Sequence, residues 1–187
     1  MSLILYNLGW MSWNILLAGL SVLFGYLSLK VKSRFFHIVS TLVFLLFIPN
    51  TIYIVTDLAH LIQRWNSVET WVKAVISLQY LIFIPIGFLT FIYSMKLLEK
   101  NLLKFDRRLS NRWILILMNF VVALGVVIGR VQRTNSWEII TNPIKVLQNL
   151  LSTFISIRLI VFSLMLGLFC SVFYLSVREK IGVGERT

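Results

Sequence analysis

Long apolar runs separated by short charged segments dominate the pattern of the chain. A helix crosses the hydrocarbon layer of a bilayer, about 30 Å thick, in about 20 residues. The segments long enough to do so are residues 9–29, 36–57, 71–97, 113–131 and 151–177. The pattern therefore predicts an all-α fold: a polytopic transmembrane helix bundle with five spans.

The composition supports the same prediction, because it is typical of a membrane-embedded chain. Of 187 residues, 58% are hydrophobic and 13% are charged, whereas soluble domains average about 45–50% apolar and about 25% charged residues. The mean hydropathy is +0.86. Scarce charge and long apolar stretches exclude an ordinary soluble domain. We expect residues 1–187 to form a single transmembrane domain.

Lys and Arg are distributed unequally between the two sides of the predicted bundle. One side carries Lys30, Lys32, Arg34, Lys96, Lys100, Lys104, Arg107, Arg108, Arg112, Arg178, Lys180 and Arg186. The other side carries Arg64, Lys73, Arg130, Arg133 and Lys145. The positive-inside rule assigns the richer side to the cytoplasm. This predicts an external N-terminus, a cytoplasmic C-terminus and a multi-pass protein of the cell inner (plasma) membrane.

The net charge of +11 follows from this topology, so we expect no nucleic-acid partner. The single cysteine, Cys170, excludes an internal disulfide and a cysteine-pair metal site. We expect no metal site, because no second His or Cys is near His60 to complete a zinc site. No cofactor is expected either.

Prolines mark predicted irregularities in the spans. Pro49 and Pro85 each remove one backbone hydrogen bond and are expected to kink their helices. The dipeptide Asn142-Pro143 is typical of a helix start, with Asn as the cap and Pro at the first helical position. A continuous helix from there to the end of the last span would exceed the bilayer thickness. Either it tilts and protrudes, or residues 143–150 form a separate turn on the outer surface.

Polar and ionisable residues follow the second apolar run, in the stretch P-N-T-I-Y-I-V-T-D-L-A-H at residues 49–60. Ionisable groups at or inside a bilayer are costly, so they indicate a functional site. At about 100° per residue, one face of this helix is polar for about three turns. That face carries Asn50, Tyr53, Asp57, His60 and Arg64, with Thr56 at its edge.

Arginines at the ends of the fourth and fifth spans reach the same predicted depth. Arg130 and Arg133 share a helix face, and Arg158 is flanked by apolar residues, so it must snorkel or meet an acceptor. In a purely structural account, Asp57 pairs with Arg130 or Arg158. The three arginines outnumber Asp57 and Glu138, however. An anion could supply the balance: a lipid phosphate, a prenyl phosphate or a carboxylate.

Two separated motifs resemble those of a known family. Phe-Ile-Pro-Asn-x-x-Tyr-x-x-Thr-Asp-x-x-His, followed by Gly-Arg-x-x-Arg-x-Asn-Ser-Trp, resemble a family of bacterial and archaeal integral-membrane proteins catalogued as domain of unknown function 1361. The resemblance covers nearly the whole chain and implies a membrane location, but no reaction, since the family has no assigned activity. It points to Pro49, Asn50, Tyr53, Thr56, Asp57, His60, Gly129, Arg130, Arg133, Asn135, Ser136 and Trp137. Arg158 is not part of these motifs.

Three classes of function compete for this cluster. We favour a non-enzymatic membrane protein that binds membrane lipids, with anionic lipids as candidates, or a partner membrane protein. The alternative is a membrane-embedded enzyme for a lipid-linked or phosphorylated substrate, with Asp57 and His60 as acid–base groups and the arginines clamping phosphate. A transporter would need polar sites near the midplane and paired repeats, and neither is evident. The expected ligand-binding residues are Asn50, Tyr53, Thr56, Asp57, His60, Arg130, Arg133, Asn135, Ser136, Trp137 and Arg158.

Overall fold

The computed structural model describes residues 2–56, 69–106, 111–178 and 180. These residues are predominantly helical and contain no strand, which confirms the predicted all-α fold. The first helices are α1 (Ser2–Lys30), α2 (Arg34–Phe47), α3 (Asn50–Thr56), α4 (Thr70–Phe105) and α5 (Arg112–Val126). A π-helix (Val127–Val131) continues α5, and α6 (Glu138–Thr141), α7 (Pro143–Ile155) and α8 (Ile157–Arg178) follow.

Five helical stretches of the described chain are long and apolar enough to cross a membrane, judged by length and composition. They are Leu3–Lys30, Arg34–Tyr53, Thr70–Lys104, Arg112–Val131 and Ile157–Arg178. The predicted number of spans is therefore confirmed, and the chain is a multi-pass membrane protein. Large apolar side chains such as Leu42, Leu81 and Leu168 stay exposed on these helices, as expected for surfaces that face lipid.

Small residues allow the spans to approach closely. α1 packs against α2, α3 and α4, and α5 packs along α8. The ring of Phe44 lies so close to Gly25 that a Cβ there would come within 2.7 Å of it. At Gly167, a Cβ would come within 2.3 Å of the Phe120 ring. α4 continues on both sides of Pro85 as a single helix.

The second span is interrupted between α2 and α3, at Pro49. Proline has no N–H to donate to the preceding turn, and polar side chains can donate hydrogen bonds to carbonyl groups at such a break. The Asn50 amide donates to the Phe47 carbonyl at 3.1 Å, and the Thr51 hydroxyl donates to the Ile48 carbonyl at 2.7 Å. The polar residues after Pro49 therefore stabilise the break.

The last predicted span divides into two helices. The Asn142 side chain accepts a hydrogen bond from the Lys145 backbone N–H at 3.2 Å, and Pro143 begins α7, as predicted. α7 ends where Ser156 adopts an extended backbone conformation, with ψ 110°. The expected span 151–177 thus begins too early, because residues 151–155 belong to α7 and the membrane-length helix starts at Ile157.

A buried carboxylate holds the end of the bundle at which α4 and α8 finish. Glu99 is fully buried. It accepts hydrogen bonds from the Tyr174 hydroxyl at 2.8 Å and from the Arg178 Nε at 3.0 Å. The Ser28 hydroxyl donates to the Asn101 side-chain oxygen at 2.9 Å. These hydrogen bonds connect α4 to α8 and to the C-terminal end of α1.

Candidate functional site

A cavity of about 620 Å³ lies where α1 begins and where the second and fourth spans end. Its walls come from α1, α3, the first part of α4 and residues 129–137. Basic side chains and amides line it: Lys73, Arg130, Arg133, Asn7, Asn14, Asn50 and Asn135. This space is termed the Arg130 cavity below.

α1 supplies a polar and aromatic wall. Asn7, Trp10 and Asn14 all line the cavity, and their spacings of three and four residues place them on one helix face. The Trp10 indole N–H donates to the Asn7 side-chain oxygen at 3.3 Å. None of these residues was predicted for the site. The available signal was a pair of asparagines seven residues apart in an otherwise apolar helix.

Arg130 lies on the π-helix, in which the Gln132 N–H donates to the Val127 carbonyl at 3.3 Å. A π-helix adds one residue to the helical repeat and so changes the direction of the side chains beyond it. Such segments occur frequently at functional sites. The Arg130 guanidinium carbon lies 5.3 Å from the centre of the Trp10 ring, which is within the range of a cation–π interaction. The π-helix thus sets Arg130 against the α1 wall.

Residues 129–133 have a tightly constrained backbone. A Cβ on Gly129 would lie 1.6 Å from the Tyr53 hydroxyl oxygen, so only glycine leaves room for Tyr53 here. Arg133 has a φ of 54°, in the left-handed region that non-glycine residues rarely adopt. Backbone conformations of this kind cluster at functional sites. Both features lie beside the basic side chains of the Arg130 cavity.

The segment after Arg133 is fastened to two other elements. The Ser136 hydroxyl donates to the Leu46 carbonyl at 3.2 Å, and the Asn50 amide donates to the Ser136 hydroxyl at 3.4 Å. From α7, the Asn149 amide donates to the Thr134 hydroxyl at 2.6 Å. The end of the second span and the polar face of α7 therefore hold this wall of the cavity in place.

Glu138 is engaged by its own neighbours and does not line the cavity. One carboxylate oxygen accepts a hydrogen bond from the Lys145 ammonium at 2.7 Å, and the other accepts one from the Asn135 backbone N–H at 2.7 Å. The Lys145 hydrogen bond, followed by the Asn135 hydrogen bond, lowers the pKa of Glu138 below its ordinary value. One of the two acidic groups expected to offset the arginines is therefore paired with Lys145.

The structure places the predicted site residues in different surroundings. Those that line the cavity are Asn50, Tyr53, Arg130, Arg133, Asn135, Ser136 and Trp137. The Thr56 hydroxyl donates to the Tyr53 carbonyl at 2.7 Å, and Thr56 is not a lining residue. Arg158 is exposed in the first turn of α8 and does not line the cavity either. The cavity thus unites residues of the second and fourth spans with residues of α1.

Asp57 and His60, like Arg64, lie outside the described residues. Their place on the polar face, the pairing of Asp57 with Arg130 or Arg158, and the acid–base alternative stay predictions. Within residues 2–56, 69–106 and 111–178, no three His, Cys, Asp or Glu side chains are grouped so that they could hold a metal ion.

Comparison with known proteins gives a family but no activity. A family model described as Protein of unknown function (DUF1361) matches residues 13–173. No curated protein and no solved structure matches the chain. The matched range includes both sequence motifs, at residues 47–60 and 129–137. Because the match covers most of the chain, this protein belongs to the DUF1361 family.

Proposed function

We propose that the Arg130 cavity binds the headgroup of an anionic membrane lipid, and that the protein is a lipid-binding protein rather than an enzyme. One observation carries this proposal: basic side chains from three places converge on one cavity. Lys73 comes from α4, Arg130 from the π-helix and Arg133 from the segment after it. Among the lining residues that the structure describes, none is acidic. The lining therefore favours a ligand with negative charge.

The two kinds of basic group suit a phosphate. The planar guanidinium of arginine can donate two parallel hydrogen bonds to a phosphate or carboxylate, while the lysine ammonium acts as a compact point charge. The contact of Arg130 with the Trp10 ring, 5.3 Å from the guanidinium carbon to the ring centre, restricts the arginine side chain. Restricting Arg130 before binding reduces the conformational entropy that is lost when an anion binds.

The position of the cavity favours a lipid as the source of that anion. It lies at the ends of the spans Arg34–Tyr53 and Arg112–Val131, where hydrocarbon gives way to headgroups. Trp13 and Trp137 line it and remain 52% and 42% exposed, and amphipathic indole rings prefer that depth. A lipid phosphate at Arg130 and Arg133 would leave the acyl chains against the exposed apolar surface of the bundle.

Native mass spectrometry of the purified full chain tests this proposal through the lipid that it retains. Arg130→Gln and Arg133→Asn each remove a charge from the cavity, and Asn tolerates the left-handed backbone at position 133. We expect each variant to retain about tenfold less anionic lipid, because a charged hydrogen bond contributes about 1.5–3 kcal/mol. Arg112→Gln is the control, since Arg112 begins α5 at the opposite end of the same span.

Two results would contradict lipid binding. The first is the absence of any co-purified lipid or anion in the unsubstituted protein. The second is an equal loss of lipid in Arg112→Gln and in the two cavity variants. That second pattern would show that the basic residues attract lipid by their overall charge, without a site.

A further inference from the structure

Most of the Arg130 cavity is lined by groups other than its basic residues. Aromatic side chains form a large part of the wall: Tyr6, Trp10, Trp13, Tyr53, Tyr80 and Trp137. Between them lie the amides of Asn7, Asn14, Asn50 and Asn135. A lining of rings and amides around a basic corner needs a ligand that is more than a bare anion.

The size of the cavity supports a larger ligand. Its volume of about 620 Å³ falls within the range of about 300–1,000 Å³ found for sites that enclose drug-sized molecules. A single phosphate group would occupy only the corner formed by Arg130 and Arg133. The remaining volume lies against the aromatic and amide wall, so the chemistry of that wall indicates what fills it.

One common headgroup type does not fit this wall. A quaternary ammonium would suit an aromatic cage, but the face of Trp10 is already covered by Arg130. Lys73 and Arg133 would also repel a cation.

A membrane-interface belt does not explain the aromatic groups either. Belt residues stand at the lipid surface, and this fits Trp13, which is 52% exposed. Tyr80, however, is 3% exposed and still lines the cavity. Trp10 and Tyr53 also lie within the bundle, where Trp10 contacts Arg130 and Tyr53 packs over Gly129.

We propose that the ligand of the Arg130 cavity is a phosphorylated sugar or polyol. This inference rests on the proposed function and specifies the headgroup that the same cavity binds. The C–H face of a sugar ring packs on aromatic rings, and its hydroxyl groups both donate and accept hydrogen bonds, as an amide does. The asparagines come from α1, α3 and the segment after the π-helix, so they surround the space and suit hydroxyl groups that project from several sides of a ring.

The basic corner would then hold the phosphate, and the aromatic and amide wall would hold the ring. Trp13 and Asn135 are the wall residues best suited to substitution, because both are exposed side chains, and their replacement leaves the packing of the bundle intact. Trp71 is the matched control. It is 54% exposed at the start of α4, donates to Glu69 and does not line the cavity.

The test measures binding of defined headgroups to the full-length protein in nanodiscs. Phosphatidylinositol carries phosphate and a polyol ring, phosphatidic acid carries phosphate alone, and a neutral galactolipid carries a sugar alone. All three are used with the same acyl chains. We expect phosphatidylinositol to bind about tenfold more tightly than phosphatidic acid, and the galactolipid to bind more weakly than both. Competition by soluble glucose 1-phosphate at comparable affinity would assign the ligand to a free sugar phosphate, and failure to compete would assign it to a lipid.

The variants separate the two contributions. Trp13→Leu and Asn135→Ala are expected to weaken phosphatidylinositol binding about three- to tenfold and to leave phosphatidic acid binding unchanged. Arg133→Asn is expected to weaken both, and Trp71→Leu to weaken neither. Equal binding of phosphatidylinositol and phosphatidic acid would overturn the sugar assignment while leaving anionic-lipid binding intact. Binding of neither lipid would overturn the proposed function itself.

Discussion

Gly129 is the residue on which the geometry of the Arg130 cavity depends most directly. Its missing side chain leaves the space that the Tyr53 hydroxyl occupies. Tyr53 belongs to α3 and Gly129 to the π-helix, so this contact contributes to the distance between the ends of the second and fourth spans, together with the hydrogen bonds of Ser136 to Leu46 and Asn50. A side chain at position 129 would push these two ends apart and widen the cavity.

Gly129→Ala is therefore expected to destabilise the protein by about 1–3 kcal/mol, the usual cost of inserting a methyl group into a packed site. Thermal unfolding in detergent measures this change. Tyr53→Phe in the same chain should restore part of the loss, since it removes the oxygen 1.6 Å from the added Cβ but leaves Cζ at 2.7 Å. In Gly19→Ala, where nothing lies within 4 Å, no loss is expected. No rescue by Tyr53→Phe would show that this contact is not the cause.

Glu99 illustrates a different constraint, the burial of charge. Its side chain is 0% exposed, whereas that of Arg178 is 18% exposed. Breaking a buried ion pair by removing one partner costs about 3–5 kcal/mol, because the remaining charge loses its partner. The cost should be unequal here, since Arg178 can extend towards water and Glu99 cannot.

We expect Arg178→Gln to lower the thermal midpoint more than Glu99→Gln does, and the double variant to recover part of the loss. The double variant leaves two neutral amides in place of two charges, so neither desolvated charge remains. Unfolding of the four proteins in one detergent gives the comparison. Equal losses in the two single variants would contradict the asymmetry in exposure.

At the scale of elements, α7 holds the wall of the cavity that carries Arg133. Its polar face reaches that wall through Asn149 and Thr134, 2.6 Å apart, and through Gln132 and Ser152, 2.7 Å apart. Its other face exposes Ile144, Leu147, Leu151, Phe154 and Ile155. An amphipathic helix of this kind suits the interface between headgroups and hydrocarbon. α7 thus connects the membrane surface to the cavity wall.

The junction of α6 and α7 should respond to acid. A carboxyl group whose pKa is lowered on folding stabilises the folded state above its unfolded pKa. This contribution is lost as the pH falls through the folded pKa. Glu138 has a pKa below the ordinary 4.5 because of its hydrogen bonds to Lys145 and Asn135. We expect the protection factors of the amide hydrogens at residues 138–145, which correct for the pH dependence of intrinsic exchange, to decrease as the pH falls below about 4.5. Glu138→Gln should have lower protection factors in this segment at neutral pH, and these should not decrease further on acidification.

At the scale of the whole molecule, the spans could be predicted because bilayer thickness fixes their length, and the start of α7 because Asn142 and Pro143 have strong local preferences. The contribution of α1 to the cavity could not be predicted. Its two asparagines lie in an apolar helix, and packing against the other helices determines which face of that helix points to the cavity. The π-helix could not be predicted either, because one added residue leaves no periodic trace. The ion pair of Glu99 with Arg178 could not be predicted, because the positive-inside rule already accounts for a basic residue at position 178.

The distribution of charge makes one further prediction for the whole molecule, its orientation in the membrane. The cavity lies at the end where α1 begins, and basic residues gather at the opposite end, among them Lys30, Lys32 and Arg34. Under the positive-inside rule, that basic end faces the cytoplasm. The Arg130 cavity would then open to the outer leaflet. It would be a basic site for an anionic headgroup at the end of the protein that carries fewer basic residues.

Single-cysteine labelling in intact cells tests this orientation. In a Cys170→Ser background, Gln148→Cys lies on α7 near the cavity and Ser33→Cys lies between α1 and α2, and both positions are exposed. We expect a membrane-impermeant maleimide to label position 148 in intact cells and position 33 only after permeabilisation. The reverse pattern would place the cavity on the cytoplasmic side. The anionic ligand would then come from the inner leaflet, whose anionic lipids attract basic residues.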